Sequence, residues 1–371
     1  MGVGESVFDY DGLSLTNIRR AVDVFVDEGR RNKVRFKTVV ATEDPLRALE
    51  QADASLSNTE IDVTEHEDHY RVAVTKRIKR TDLEDGHRLV ESDFALFQIG
   101  ETDIWAAVTG HSPDQFEHGP LWVLGKSEPM LSTFFASSDD LAEILYQLKA
   151  SFPAETEIQA RKTVAYSRDE EGEISFKQRP FEEIFAVAAD KGNYVDKMRF
   201  TVKTGDTIRL DAFLSRDGKL KFLGGDATRF FEDFLPIVAA VGQQKADLFG
   251  HKERSAETGE LNELQIDFDT AHFKAPEDTE KLIRALDGLP NANLTVYHDN
   301  PYAHLSILDT IDGSSCDVFV TDSDTVSIVP SYRGSFNSLM RVAEQLSREL
   351  EEGEISEGTP EEQTMADFFP T

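Results

Sequence analysis

Apolar positions in this chain follow two periods, and the switches between them mark its elements. From Leu15, Ile18, Val22, Phe25 and Val26 the three-to-four spacing predicts a helix over 14–29, with Ser14 as N-cap and Gly29 as its stop. Lys33-Val-Arg-Phe-Lys37 then alternates as a strand, and Pro45 to Asp53 is a short helix. Strands are expected over Arg71–Arg80 and as a hairpin from Phe94 to Val108 around Gly100-Glu-Thr-Asp103. Leu141, Ile144, Leu145 and Leu148 share a helical face behind Ser138, and Phe152-Pro153 closes that segment.

The alternation resumes at 158–166 and leads through a helix at Phe181–Ala189 to strands at 197–203 and 206–214. Arg216-Asp-Gly218 is a hairpin turn returning into Lys219–Phe222. Asp226–Val241 predicts a Phe-rich helix kinked or broken at Pro236, because proline lacks the donor an interior turn needs. A strand at Leu264–Phe268 and a helix at Glu277–Leu286 follow. Next come strands at 293–297, 304–308, 316–320 and 325–329, then a helix striped by Phe336, Leu339, Met340, Ala343, Leu346 and Leu350. Groups of strands followed by single amphipathic helices predict an α+β fold of largely antiparallel sheets with helices laid on them, and a duplicated sheet-plus-helix unit. A length prior of about 150 residues per domain divides it into 1–154 and 155–350, with 351–371 as a tail.

Charge changes the picture most. Seventy acidic side chains against 39 basic give a formal charge of −31, spread along the chain, while 39% apolar content leaves material for real cores. With Arg outnumbering Lys, this composition resembles that of haloarchaeal cytosolic proteins and implies a saline cytoplasm. The start, MGVGESVFDYDG, has neither a basic stretch nor an apolar core, so no secretory signal is expected. No run approaches the roughly 18 apolar residues of a membrane span. A lone Cys316 excludes an internal disulfide and a thiolate zinc cluster.

Residues 351–362, with six acids, two Gly and one Pro, predict a self-repelling linker. Beyond it, Glu362-Gln-Thr-Met365-Ala-Asp-Phe368-Phe369 places an aliphatic residue three positions before two aromatics, one face of a single helical turn. This segment resembles the sliding-clamp interaction motif, the PIP box, with Met365 at the aliphatic position and Phe368 and Phe369 as the aromatic pair. Glu362 stands where the family has Gln. The resemblance covers about eight residues and implies a sliding clamp as partner; the alternative is a tail docked on its own body.

Against the acidic background two cationic segments stand out. Arg71–Arg80 holds five cations and no acid, and Lys33, Arg35 and Lys37 alternate with Val34 and Phe36. As strands they place Lys33, Arg35 and Lys37 on one face and Arg71, Arg77 and Lys79 on another; adjacency of the two strands would make one phosphate-binding sheet face for DNA. Asp211 with Asp217-Gly-Lys219 resembles the acid and acid-x-Lys set of metal-dependent nucleases, although Asp217-Gly218 is also a good turn. His66-Glu-Asp-His69 is one residue short of a zinc-protease motif, no phosphate loop follows Gly224-Gly225, and Ser314-Ser315 lacks a nucleophile elbow. No cofactor or resident metal is expected. The expectation is a clamp-recruited DNA replication or repair factor rather than an enzyme, with a clamp-tethered nuclease as its enzymatic alternative.

Overall fold

The structure, a computed structural model, describes residues 14–27, 34–80, 86–168, 172–250, 263–275, 278–299, 303–331 and 334–358. The chain is α+β and divides into two compact units, Met1–Ala246 and Asp247–Thr371.

The first unit opens with α1 (Leu15–Phe25), β1 (Arg35–Ala41), α2 (Pro45–Ser55), β2 (Thr59–Glu65), β3 (Tyr70–Lys79), β4 (His87–Gln98) and β5 (Ile104–Thr109). After α3 (Pro113–Phe116), a wide π turn (Glu117–Leu121) and α4 (Trp122–Lys126) come β6 (Leu131–Ser132), α5 (Ser138–Ala150), β7 (Thr156–Ser167), β8 (Glu173–Phe176) and β9 (Arg179–Pro180). The run continues with α6 (Phe181–Asp190), β10 (Asn193–Thr204), β11 (Thr207–Ser215), β12 (Lys219–Gly225) and α7 (Ala227–Arg229). A second π turn (Phe230–Phe234) joins α7 to α8 (Leu235–Phe249).

All twelve strands belong to one antiparallel sheet, in the order β2-β3-β4-β5-β1-β12-β11-β10-β7-β8, with β6 on β1 and β9 on β7. The boundary expected near residue 154 therefore falls inside a continuous sheet. Phe152-Pro153 ends a helix without ending a domain, because β12 pairs with β1 and carries β11, β10 and β7 with it into the same sheet.

Side chains alternate across a sheet, so ladder register assigns each to a face. Phe36, Val108 and Ala95 are cross-strand neighbours on what we term the back face; Arg35 and Lys37 lie on the front. Aromatic packing fills the back: Phe230 lies 4.8 Å from Phe36 and 5.4 Å from Phe222 between ring centroids, and Phe234 lies 5.5 Å from Phe200. α5 and α6 share this layer, joined by Lys149 and Glu182, while Arg229 covers Phe152. Over β2–β5 the helices sit instead on the front, where Ala48, Leu49, Val123 and Leu124 pack on Val39, Phe94, Leu96 and Ala107. β1 is consequently buried on both sides from Arg35 to Val40, and the strand runs beyond the expected 33–37 into its apolar half.

The Phe-rich helix is not broken at Pro236. The π turn immediately before it closes with an N–H of Leu235 on the carbonyl of Phe230, and this wide turn makes room for the proline ring. Ser137 rather than Ser138 caps α5, completing a capping box with Asp140.

The second unit holds β13 (Leu264–Asp267), α9 (Thr279–Asp287), β14 (Ala292–His298), β15 (His304–Asp309), β16 (Ser315–Asp322), β17 (Thr325–Pro330), α10 (Phe336–Glu349) and β18 (Glu354–Glu357). Its antiparallel sheet runs β14-β15-β16-β17-β13-β18. Leu264, Ile328, Val318 and Leu305 share one buried face by register and form a core with Leu282 and Leu286 of α9 and Leu339, Val342 and Leu346 of α10. The expected linker is corrected over its first part. Glu354–Glu357 is a strand pairing with β13, Ile355 opposite Ile266, because β13 offers an open ladder edge that outweighs the charge of the segment. Among the described residues no helix is long and apolar enough to cross a membrane.

Candidate functional site

Besides Arg77-Ile-Lys79 in β3, whose cations lie on the back face, three strands of the first unit carry one three-residue pattern, cation, apolar, cation: Arg35-Phe-Lys37 in β1, Lys197-Met-Arg199 in β10 and Lys219-Leu-Lys221 in β12. Each apolar residue of these last three faces back into the aromatic core, which forces its two neighbours to the front. The register then lines them up. One cross-strand row reads Lys162, Arg199, Phe213, Lys221, Arg35, from β7 through β10, β11 and β12 to β1. The next reads Lys197, Ser215, Lys219, Lys37. Seven cations thus share one sheet face in a chain of net charge −31. Arg161 adds another at a bulge, its Nε donating to Thr201 Oγ1 at 2.9 Å.

Three aspartates at this face are each held by a cation, while Glu157 and Glu173, on the same face by register, accept from Gln159 and Ser175 instead. Asp211 takes a fork from Arg199, at 3.0 and 2.7 Å, and Asp217 lies 2.6 Å from Lys219 Nζ. Asp196 lies 3.2 Å from Lys197. Side-chain exposures of 44% for Arg199, 42% for Lys219 and 37% for Lys197 leave their heads in solvent. Arg35, 7% exposed, and Lys37, 5%, form the deep end, where the Arg35 Nε is buried without a hydrogen-bond partner.

The electrostatics follow from this crowding. Burial lowers the Lys221 ammonium below the ordinary lysine range, and the like charges of Arg35, Lys197 and Lys219 lower it further. Burial also lowers Arg35. For Asp217, burial pushes the carboxyl upward, but Lys37 and Lys219 outweigh it and hold the group well below the usual carboxylate range. The Arg216-Asp-Gly218 turn sets that geometry. Gly218 has φ +71°, and a Cβ there would come 2.4 Å from Thr38 Oγ1, so only glycine lets the turn sit on β1. Thr38 N–H donates to the Gly218 carbonyl at 2.9 Å, and the Lys37 ammonium donates to the Asp217 carbonyl. An anion with several oxygens placed across the two rows would relieve the repulsion among these cations.

Of the residues expected from sequence, Arg35 and Lys37 belong to this face and Lys33 lies outside the described residues. Arg71, Arg77 and Lys79 do not join them. β4 and β5 separate β3 from β1, and register through Ala95 and Val108 puts Arg71 on the back face with Phe36. Arg71 instead approaches Asp93 at 3.6 Å, and Asp93 also holds His111, with Nε2 at 2.7 Å from Oδ1. Sequence reading missed Lys162, Lys197, Arg199, Lys221 and Phe213, and placed Lys219 in a nuclease set. Their signal was present in the repeated cation-x-cation spacing, but only the strand order shows which pairs meet.

The nuclease set does not assemble. Asp211 and Ser215 are four residues apart on β11, about 13 Å, with Asp217 beyond, and each carboxylate serves a different cation. Among the described residues no group of three His, Cys, Asp or Glu side chains is placed to hold a metal. Cys316 is buried and its thiol is pushed up to about 12, chiefly by burial, which makes it a poor nucleophile. Met365, Phe368 and Phe369 lie outside the described residues. No protein-family model matches the chain, and no curated protein matches it at a significant level.

Proposed function

We propose that this protein is an accessory factor that holds nucleic acid on the front face of its large sheet and is brought to DNA by a sliding clamp gripping Met365, Phe368 and Phe369. The carrying observation is the pair of cross-strand rows, seven cations on one face of a chain whose other surface charge is overwhelmingly acidic. Repulsion elsewhere orients a polyanion toward this face, and the crowded ammonium groups provide the phosphate contacts. Those contacts weaken by roughly 0.9 of a log unit per phosphate for each tenfold rise in salt. A clamp tether offsets that loss by raising the local concentration of the protein at DNA.

Two arms test the reading. Full-length protein and a form ending at residue 361 are compared for retention on immobilised clamp in concentrated KCl; retention of the full-length form alone is expected, and equal retention removes the clamp. Binding to a labelled oligonucleotide is then measured against KCl concentration, where a salt-independent or absent signal removes the front face as a phosphate site.

A further inference from the structure

We propose that the front face takes a single strand of nucleic acid rather than a duplex, with a base stacked on Phe213 and the adjoining phosphates on Arg199 and Lys221. This rests on the nucleic-acid reading above and goes beyond it in naming the strandedness and the residue that sets it. Phe213 is the aromatic member of the cationic rows, half-buried, with Arg199 opposite it on β10 and Lys221 opposite it on β12. Neighbouring strands are about 4.8 Å apart, so a ring and a cation on either side are spaced like a base and the phosphates that flank it. Lys221 Nζ already stands 4.7 Å from the centroid of the Phe213 ring, putting a positive charge and a stacking surface within one nucleotide's reach.

A duplex has no use for such a ring. Its bases are stacked on one another, and it turns phosphates outward to a flat sheet, whereas an unpaired base offers a π-face. The salt-adapted composition sharpens the point. Phosphate contacts fade as salt rises because they work through counterion release, and stacking does not. Beyond Lys221 the row continues to Arg35, a buried cation that adds positive potential at that end of the row.

The test uses full-length protein and anisotropy of a labelled oligothymidylate and of a duplex of equal length, over a KCl series. Phe213→Ala, checked for folding by circular dichroism, is expected to weaken single-strand binding about tenfold at every KCl concentration. The salt slope and duplex binding stay unchanged, and Phe213→Tyr restores affinity. Lys221→Gln is expected to reduce the single-strand salt slope by about 0.7. If Phe213→Ala leaves single-strand binding intact while Lys221→Gln weakens it, the stacking proposal falls and the nucleic-acid reading stands. Salt-sensitive binding of neither oligonucleotide by the wild-type protein ends both. Displacement by oligoglutamate of matched charge as effective as by unlabelled oligothymidylate makes the face a general polyanion surface and also overturns the proposal.

Discussion

Residues 35–109 and 264–330 fold on one plan and use it oppositely. Each runs strand, helix and four strands, and in each the first strand pairs antiparallel with the last: β1 with β5, β13 with β17. The plan leaves one edge of the first strand open. On β1 that edge receives β12, which sets Lys221 opposite Arg35 and Lys219 opposite Lys37. On β13 it receives β18, which sets Ser356 opposite Gln265 and Glu354 opposite Asp267. Like charges directly across a ladder destabilise it by up to about 1 kcal/mol per pair. In the second unit that cost is offset locally, by Thr325 Oγ1 and Gln265 Nε2 donating to Asp267 at 2.9 and 2.8 Å. In the first, Asp217 serves Lys37 and Lys219 while Arg35 and Lys221 keep no carboxylate partner among the described residues. Topology is common to the two modules; the partner at the open edge decides which one collects unneutralised cations.

The two units should respond separately to core damage, and this is the largest effect expected. Phe230→Ala removes the ring that joins Phe36, Phe222 and Phe234 and should cost the first unit about 3–5 kcal/mol; Leu339→Ala should cost the second about 2–5 kcal/mol. Trp105 and Trp122 both lie in the first unit, so urea unfolding followed by tryptophan fluorescence should shift for Phe230→Ala and stay in place for Leu339→Ala. A common shift would merge the units into one cooperative block.

Next in size, reversing Arg199 and Lys221 together to Glu should weaken oligonucleotide binding about a hundredfold in moderate salt and flatten its salt dependence. Reversing Arg77 and Lys79 on the opposite face should leave it within a factor of about two. Equal losses from both pairs would mean that net charge, and not the front face, governs binding.

The β18 edge is sharpened by Gly353→Ala. A Cβ at Gly353 would stand 2.6 Å from the Asp267 carbonyl, so the strand must shift away, at about 1–2 kcal/mol of second-unit stability. Hydrogen exchange at Ile266 and Ile355 should accelerate, and unchanged protection would show that β18 is not held by this register.

The smallest effect is on pH. Burial, with Lys126 nearby, lowers Lys76 to about 8, and its ammonium sits 3.2 Å from the centroid of the Trp122 ring. Because the folded pKa lies below the unfolded one, the unfolded chain binds more protons between about 8 and 10.5, so first-unit stability rises with pH across that window. Denaturation midpoints measured from pH 7 to 10 should climb, and Lys76→Met should flatten the climb.

Periodicity found the helices and most strands where an element buries one continuous face, as in the stripe from Phe336 to Leu346, and passed over the strand β2. It failed where pairing rather than local pattern decides. Glu354-Ile-Ser-Glu357 has nothing in its composition to mark a strand until β13 is beside it. Pro236 looks like a break until the preceding π turn is seen to absorb it. The front face was partly legible: Arg35 and Lys37 stood out and Lys219 drew notice for a different role, while Lys162, Lys197, Arg199 and Lys221 gave no local signal that they meet on one face. The supposed partner strand at 71–80 has a higher local density of cations, yet the order of the sheet turns Arg71 to the opposite side.

The pairing of β18 also fixes a leash length. Gly358 N–H donates to the Glu263 carbonyl at 2.8 Å, so the chain is moored to the sheet at that point. Seven residues on, Met365 can stand at most about 25 Å away even with the backbone fully drawn out. A body that grips Met365 is therefore brought to the doorstep of the second unit, and any joint action between the two must be completed within that radius.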